Sequence, residues 1–220
     1  MAGIDLHTLK FLKDLKKNNN RDWFNENKAR YEVAKSDFEA FLDRLIAKVA
    51  GFDSTIAGLE AKKCSFRIYR DIRFSKNKSP YNSRFGGHLL AGGRKQERSR
   101  AGYYIHIAPG DCFLAGGAHT PPGPWMAAIR ERIAADSKPF RKILGAKSFK
   151  TYFGELYGEQ LKSAPRGYDK DHPDLDLLRF KSFLAVHRMK DATVLKDDFL
   201  SHATKVFKAM HPFGQFLNGE

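Results

Sequence analysis

The chain has 220 residues, 42% hydrophobic and 29% charged, a balance that suits a folded globular protein and excludes a disordered one. No run approaches the roughly 18 apolar residues that a membrane span requires, and the opening MAGIDLHTLKFLKDLKK lacks the apolar centre of a signal peptide. A cytoplasmic protein with no membrane partner is therefore expected.

The net charge of +14 is unevenly spread: residues 63–100 hold 11 Lys/Arg against 2 Asp/Glu, residues 1–62 hold 11 against 10, and residues 101–220 hold 17 against 13. Such concentration predicts a positive patch with a fixed place in the fold. Cys64 and Cys112 form no CxxC pair and have no histidine at metal-ligand spacing. Buried free thiols are expected, with no metal and no cofactor.

In chain order, Asp5 is placed to cap a helix carrying Leu6, Leu9, Leu12 and Leu15, which Asn18, Asn19 and Asn20 stop. Asn19 or Asn20 then caps a second helix, whose apolar stripe runs from Phe24 through Tyr31, Ala34, Phe38, Phe41, Leu42, Leu45, Ile46 and Val49 to a close at Gly51.

The period then drops to near two. Residues 64–74, 84–90, 102–107 and 112–118 read as strands. Residues 91–100 form a basic loop, with Gly92, Gly93, Arg94 and Lys95 as its solvated tip. Residues 108–111 suit a type II turn with Pro109 and Gly110 at its centre. These connections are too short for parallel crossovers, so an antiparallel meander is expected.

Helix returns after this region. Pro124 opens a helix with Trp125, Ile129 and Ile133, and Ser137 caps a short one that Gly145 ends. Asp174 caps another, carrying Leu177, Leu178 and Phe180; residues 182–189 form a further strand; Phe199, Ala203, Val206, Phe207 and Met210 make a final helical stripe. The absence of repeats and linkers predicts one domain over residues 1–220. The class is α+β: an antiparallel meander sheet with a long N-terminal helix and C-terminal helices.

The stretch FRIYRDIRFSKNKSPYNSRFG (66–86) closely resembles the conserved hypothetical proteins of bacteria and fungi designated domain of unknown function 2461. NNNRDWFNENKARY (18–31), AGYYIHIAPGDCFLAGGAH (101–119), APRGYDKDHPDLDLLRFKSF (164–183) and FLN (216–218) carry the same resemblance over nearly the whole chain. It implies one intact cytoplasmic domain. It brings no catalytic residue or cofactor with it, so chemistry must be argued from side chains.

If residues 66–74 form a strand, Phe66, Ile68, Arg70, Ile72 and Phe74 share one face, and Arg67, Tyr69, Asp71 and Arg73 the other. A guanidinium on the apolar face must find a carboxylate, carbonyls or a ligand, which singles out Arg70. Ser75, Lys76, Lys78, Tyr81 and Arg84 follow on a polar loop. Arginine forks, lysine ammonium groups and hydroxyls are the groups that hold a phosphate or carboxylate. The expected ligand site is thus Arg67, Arg70, Arg73, Ser75, Lys76, Lys78, Tyr81 and Arg84. It would take an anionic small molecule or a nucleic-acid phosphate; no Walker A pattern appears.

Tyr69, Phe74, Tyr81 and Phe85 interleave with the cations, as in a single-strand stacking groove, although Phe66, Phe74 and Phe85 suit the core better. No RNP, KH or zinc-finger pattern supports nucleic acid further. His88 and His106 fall on adjacent strands with His119 beyond, and an enzyme reading would use His88 or His106 as acid–base groups beside an arginine clamp. Arg166 and Tyr168 are candidates to reach the patch, and Asp169 or Asp171 to pair with its arginines. The acidic run 169–176 lacks the glycine and glutamate of a calcium loop.

Overall fold

In the computed structural model, which describes residues 3–93 and 99–220, the Asp5 carboxylate accepts the His7 N–H and starts α1 (Leu6–Lys17). Leu9, Phe11, Leu12 and Leu15 bury one stripe of α1, whereas Leu6 faces solvent. The Asn20 side chain accepts the Trp23 N–H and opens α2 (Arg21–Glu26); α3 (Lys28–Ala50) follows.

The single helix expected up to Gly51 is thus interrupted at Asn27. There the side-chain amide donates to the Trp23 carbonyl at 2.9 Å beside the backbone N–H of the same residue, a local bond that competes with the helical ladder. The predicted stripe of α3 is buried from Tyr31 to Val49.

Four strands, β1 (Phe85–Leu89), β2 (Gly102–Ile107), β3 (Cys112–Ala118) and β4 (Phe183–Met189), pair antiparallel in the order β1-β2-β3-β4. This is the meander that the short connections predict. At the β2–β3 turn the Asp111 N–H reaches the Ala108 carbonyl at 2.9 Å, with Gly110 at φ 79°, as a type II turn requires. Residues 94–98 of the predicted basic loop, including Arg94 and Lys95, lie outside the described residues.

Between β3 and β4 come α5 (Gly123–Ala135), α6 (Lys138–Gly145), α7 (Lys147–Phe153) and α8 (Leu175–Leu178), and after β4 come α9 (Asp191–Val194) and α10 (Phe199–Asn218). The fold is α+β.

One hydrophobic core extends from Ile4 to Leu217. The inner face of the sheet meets α3 and α10: Phe38 stacks on Phe85 at 5.3 Å, and Tyr103 meets Phe207 at 5.1 Å. Gly116 permits this closeness, because a Cβ there would lie 2.2 Å from the Met210 sulfur and 2.5 Å from the Gly102 carbonyl oxygen. A buried Tyr103 hydroxyl donates to Asp53 (2.8 Å) and stands 2.7 Å from His211 Nδ1. Its single proton is committed to Asp53, so His211 carries its own proton on Nδ1. Cys64 and Cys112 are buried and form no disulfide.

Two further expectations fail locally. Residues 64–74 do not form a strand: Ala61–Cys64 is a helical turn (α4), and the rest makes only two isolated bridges, Ser65 with Gly87 and Tyr69 with Tyr81. The segment follows residues 80–87 through Phe66 N–H to Gly86 O, Asn82 N–H to Ile68 O and Arg70 N–H to Pro80 O. Pro80 has no N–H to return, which ends the ladder. Phe74, placed in the core by strand parity, is accordingly 94% exposed.

Neither Ser137 nor Asp174 caps its helix with its side chain. Instead the Ser137 hydroxyl and the Arg141 guanidinium engage the Asp174 carboxylate and hold it below the usual carboxylate range.

Candidate functional site

The basic segment is anchored from below by the N-terminal asparagines. The Asn19 amide donates to the Tyr81 carbonyl at 3.0 Å, and its oxygen accepts the Tyr81 N–H at 3.1 Å. Phe24 stacks on the Tyr81 ring at 4.0 Å and 17°. These two hydrogen bonds and the stack fix residues 80–84 where they enter β1.

Arg70, the residue that parity isolates, meets neither a carboxylate nor solvent alone. Its guanidinium donates to the Ser79 carbonyl (2.9 Å) and the Ser75 hydroxyl (3.3 Å), closing the 75–79 loop on itself.

Two open depressions flank Arg70. One, about 320 Å³, is bordered by Arg67, Arg70, Asn82, Arg84 and the carboxylate of Asp71; the other, about 430 Å³, by Lys16, Arg70, Ser79, Tyr81, Arg84 and the carboxylate of Asp111. Arg84 borders both and is half-buried. Among the described residues no carboxylate and no carbonyl accepts a hydrogen bond from Arg84 or from the Arg67 guanidinium.

Arg84 also reaches a third space, a groove of about 590 Å³ on the outer face of the sheet. Strand alternation builds its floor. The register pairs His88 with Tyr104, Tyr104 with Ala115, His106 with Phe113, Phe113 with Arg188 and Ala115 with Val186, all on one face. His88, His106 and His119 all line it.

His106 stacks flat on Phe113 at 4.4 Å and 13°, and its Nδ1 lies 3.3 Å from the Tyr104 hydroxyl. Burial, then the Arg84 charge, push its pKa down to about 4; Asp111 acts the other way, and Arg188 again lowers it. His106 is therefore a neutral imidazole near pH 7, able to accept from the phenol of Tyr104. Gly86 gives that phenol its place, since a Cβ at residue 86 would stand 2.8 Å from the Tyr104 oxygen. Arg188, at the far side, is engaged by Asp111 at 3.0 Å.

The remaining residues of the expected cradle lie apart from these spaces. Arg73 forms an exposed two-point pair with Asp71 (3.0 and 2.7 Å), whose carboxyl is lowered chiefly by that hydrogen bond. Lys78 donates to the Ile72 carbonyl at 3.1 Å, and Lys76 is exposed. Ser75 serves Arg70. Asp169 accepts the Asp171 N–H, and Tyr168 lies by Arg130 and Glu131.

Sequence reasoning missed Asn19, Tyr104, Phe113 and Arg188 as parts of the site. The alternation of strands 102–107 and 112–118 carried the signal for Tyr104 and Phe113, but no local pattern marks Asn19 as the partner of Tyr81. Among the described residues no three His, Cys, Asp or Glu side chains assemble as a metal site, and no helix is long and apolar enough to cross a membrane.

Neither a curated protein nor a solved structure matches the chain. The family model for the conserved hypothetical protein family DUF2461 matches residues 7–216, and the chain belongs to that family.

Proposed function

We propose that the protein is a cytoplasmic binder of a phosphate-bearing or other anionic ligand, held on the basic residues around Arg84. One observation carries this reading: a half-buried guanidinium borders three adjoining spaces and has no carboxylate or carbonyl partner among the described residues. Withdrawing a cation from water without a counter-charge is costly, and a bound anion removes that cost. Arg67 and Arg70 stand beside it, and Arg70 still has donor capacity beyond its two loop bonds.

Calorimetric titration with inorganic phosphate tests this. Saturable binding that Arg84→Gln weakens at least about tenfold, and that Arg73→Gln leaves unchanged, supports the assignment. Equal losses in both variants would reduce the attraction to general surface charge.

A second reading, an enzyme on a small anionic substrate, draws support from His106. A neutral imidazole in contact with a phenol, beside an arginine that has no carboxylate partner among the described residues, is an arrangement suited to proton transfer. A third ligand, single-stranded nucleic acid, is favoured by the exposure of Phe74 (94%) and Tyr69 (51%) within the basic segment. Oligonucleotide binding lost with Phe74→Ala and steeply reduced by salt would identify it.

A further inference from the structure

The outer-face groove points to what kind of molecule carries the anion. We propose that the ligand is an aryl phosphate, its phosphate held by Arg84 and its planar ring laid along the outer face of the sheet. This rests on the anion reading above and narrows it to a ligand class.

Size is the first argument. About 590 Å³ lies within the roughly 300–1,000 Å³ of small-molecule sites and far exceeds the needs of an inorganic ion. Surface chemistry is the second. The lining includes Tyr104, Phe113, Ala115, Leu184, Val186 and Phe66, apolar and aromatic side chains that a free phosphate would not use. Phe113 carries the flat face of His106 at 4.4 Å and the Arg188 guanidinium at 5.7 Å from its ring centre, so planar groups already stack along this row of the sheet. Tyr157 stands beside the edge strand, tied by its N–H to the Leu184 carbonyl at 2.8 Å, and is 57% exposed.

Charge is the third argument. Among the described residues no aspartate or glutamate lines the groove, and its two arginines differ in state. Arg188 is neutralised by Asp111, while Arg84 has no carboxylate partner among the described residues, so the anionic end of a ligand has one preferred end of the groove. The histidine nearest that end, His106, is neutral and repels no cation and attracts no anion of its own. An occupant with an apolar planar body and one anionic head matches all three features.

The test compares inorganic phosphate, phenyl phosphate and butyl phosphate by calorimetry on the full chain. Phenyl phosphate should bind at least about tenfold more tightly than inorganic phosphate, as burial of a ring would give. Val186→Gln and Leu184→Gln, which place neutral amides in the groove, should each erase most of that preference and leave the inorganic phosphate affinity unchanged. That unchanged affinity also shows that the variants are folded. Equal affinities for phenyl phosphate and inorganic phosphate, or a preference that survives both substitutions, would overturn the groove assignment alone. An equal gain for butyl phosphate would overturn the aromatic assignment. Binding of none of the three would overturn the anion reading together with it.

Discussion

Asn19 grips the backbone of Tyr81 through both its amide nitrogen and its amide oxygen, at 3.0 and 3.1 Å, across 62 residues of sequence. Three asparagines that look like a helix stop thus contain the anchor of the basic segment. Asn19→Ala leaves both Tyr81 backbone groups without that partner in a part-buried setting. It should destabilise the fold by about 1–3 kcal/mol, read as a lower urea midpoint with an unchanged slope. Asn19→Asp should not rescue the contact, because it keeps the acceptor for the Tyr81 N–H but turns a carboxylate oxygen toward the Tyr81 carbonyl in place of the amide donor.

Arg70 acts first on its own loop. Removing its bonds to Ser79 and Ser75 should release residues 72–79, which hold Arg73, Lys76 and Lys78 on exposed backbone. Arg70→Ala is expected to raise the rate of tryptic cleavage within this loop roughly tenfold, the effect of losing two modest hydrogen bonds. Arg70→Lys should fall between, since a single ammonium cannot reproduce the fork. Cleavage at the wild-type rate in Arg70→Ala would show the loop to be held by something else.

Much of this architecture is legible in the sequence, and its failures have physical causes. The strand alternation of residues 102–107 and 112–118, the glycine and proline of the turn between them, and the apolar stripes of α3 and α10 all lie in local spacing, and the structure follows them. The strand expected at residues 64–74 fails because pairing depends on the partner: Pro80, fourteen residues beyond Phe66, cannot complete the ladder. The same displacement puts Phe74 in solvent and gives Arg70 a loop carbonyl in place of a carboxylate. The charge count marks the basic segment, but charge alone cannot tell Arg73, paired with its neighbour Asp71, from Arg84, which has no such partner among the described residues.

Histidine titration gives a pH dependence of definite sign. His106 has its pKa depressed to about 4 by burial and by Arg84, and that of His202 is depressed by burial and by His187, which faces it at 3.0 Å. The unfolded chain binds these protons near pH 6.5 and the folded chain does not, so both contributions are complete above pH 6.5 and decline as pH falls below it. For His106 the decline extends to about pH 4 and amounts to on the order of 2–3 kcal/mol. Urea unfolding between pH 7 and pH 4 should show this loss, and His106→Gln should remove a large share of the slope. A wild-type protein equally stable at pH 7 and pH 4.5 would contradict the burial of neutral His106.

Gly116 tests how tightly α10 sits on the sheet. A methyl group at this position meets the Met210 sulfur and the Gly102 carbonyl, and the carbonyl cannot move aside as a side chain can. Gly116→Ala should cost about 1–3 kcal/mol or more in thermal or urea unfolding. Adding Met210→Ala should restore little of it, because the backbone contact remains.

The central claim is that Arg84, and not the basic segment at large, receives the anion. Nitrogen-15 spectra of the arginine side chains report it directly during a phosphate titration. The Arg84 Nε–H signal should shift saturably and exchange more slowly with water, while that of Arg73, already held by Asp71, should stay in place. A silent Arg84, or an equal unsaturable drift of every arginine signal, would contradict the account.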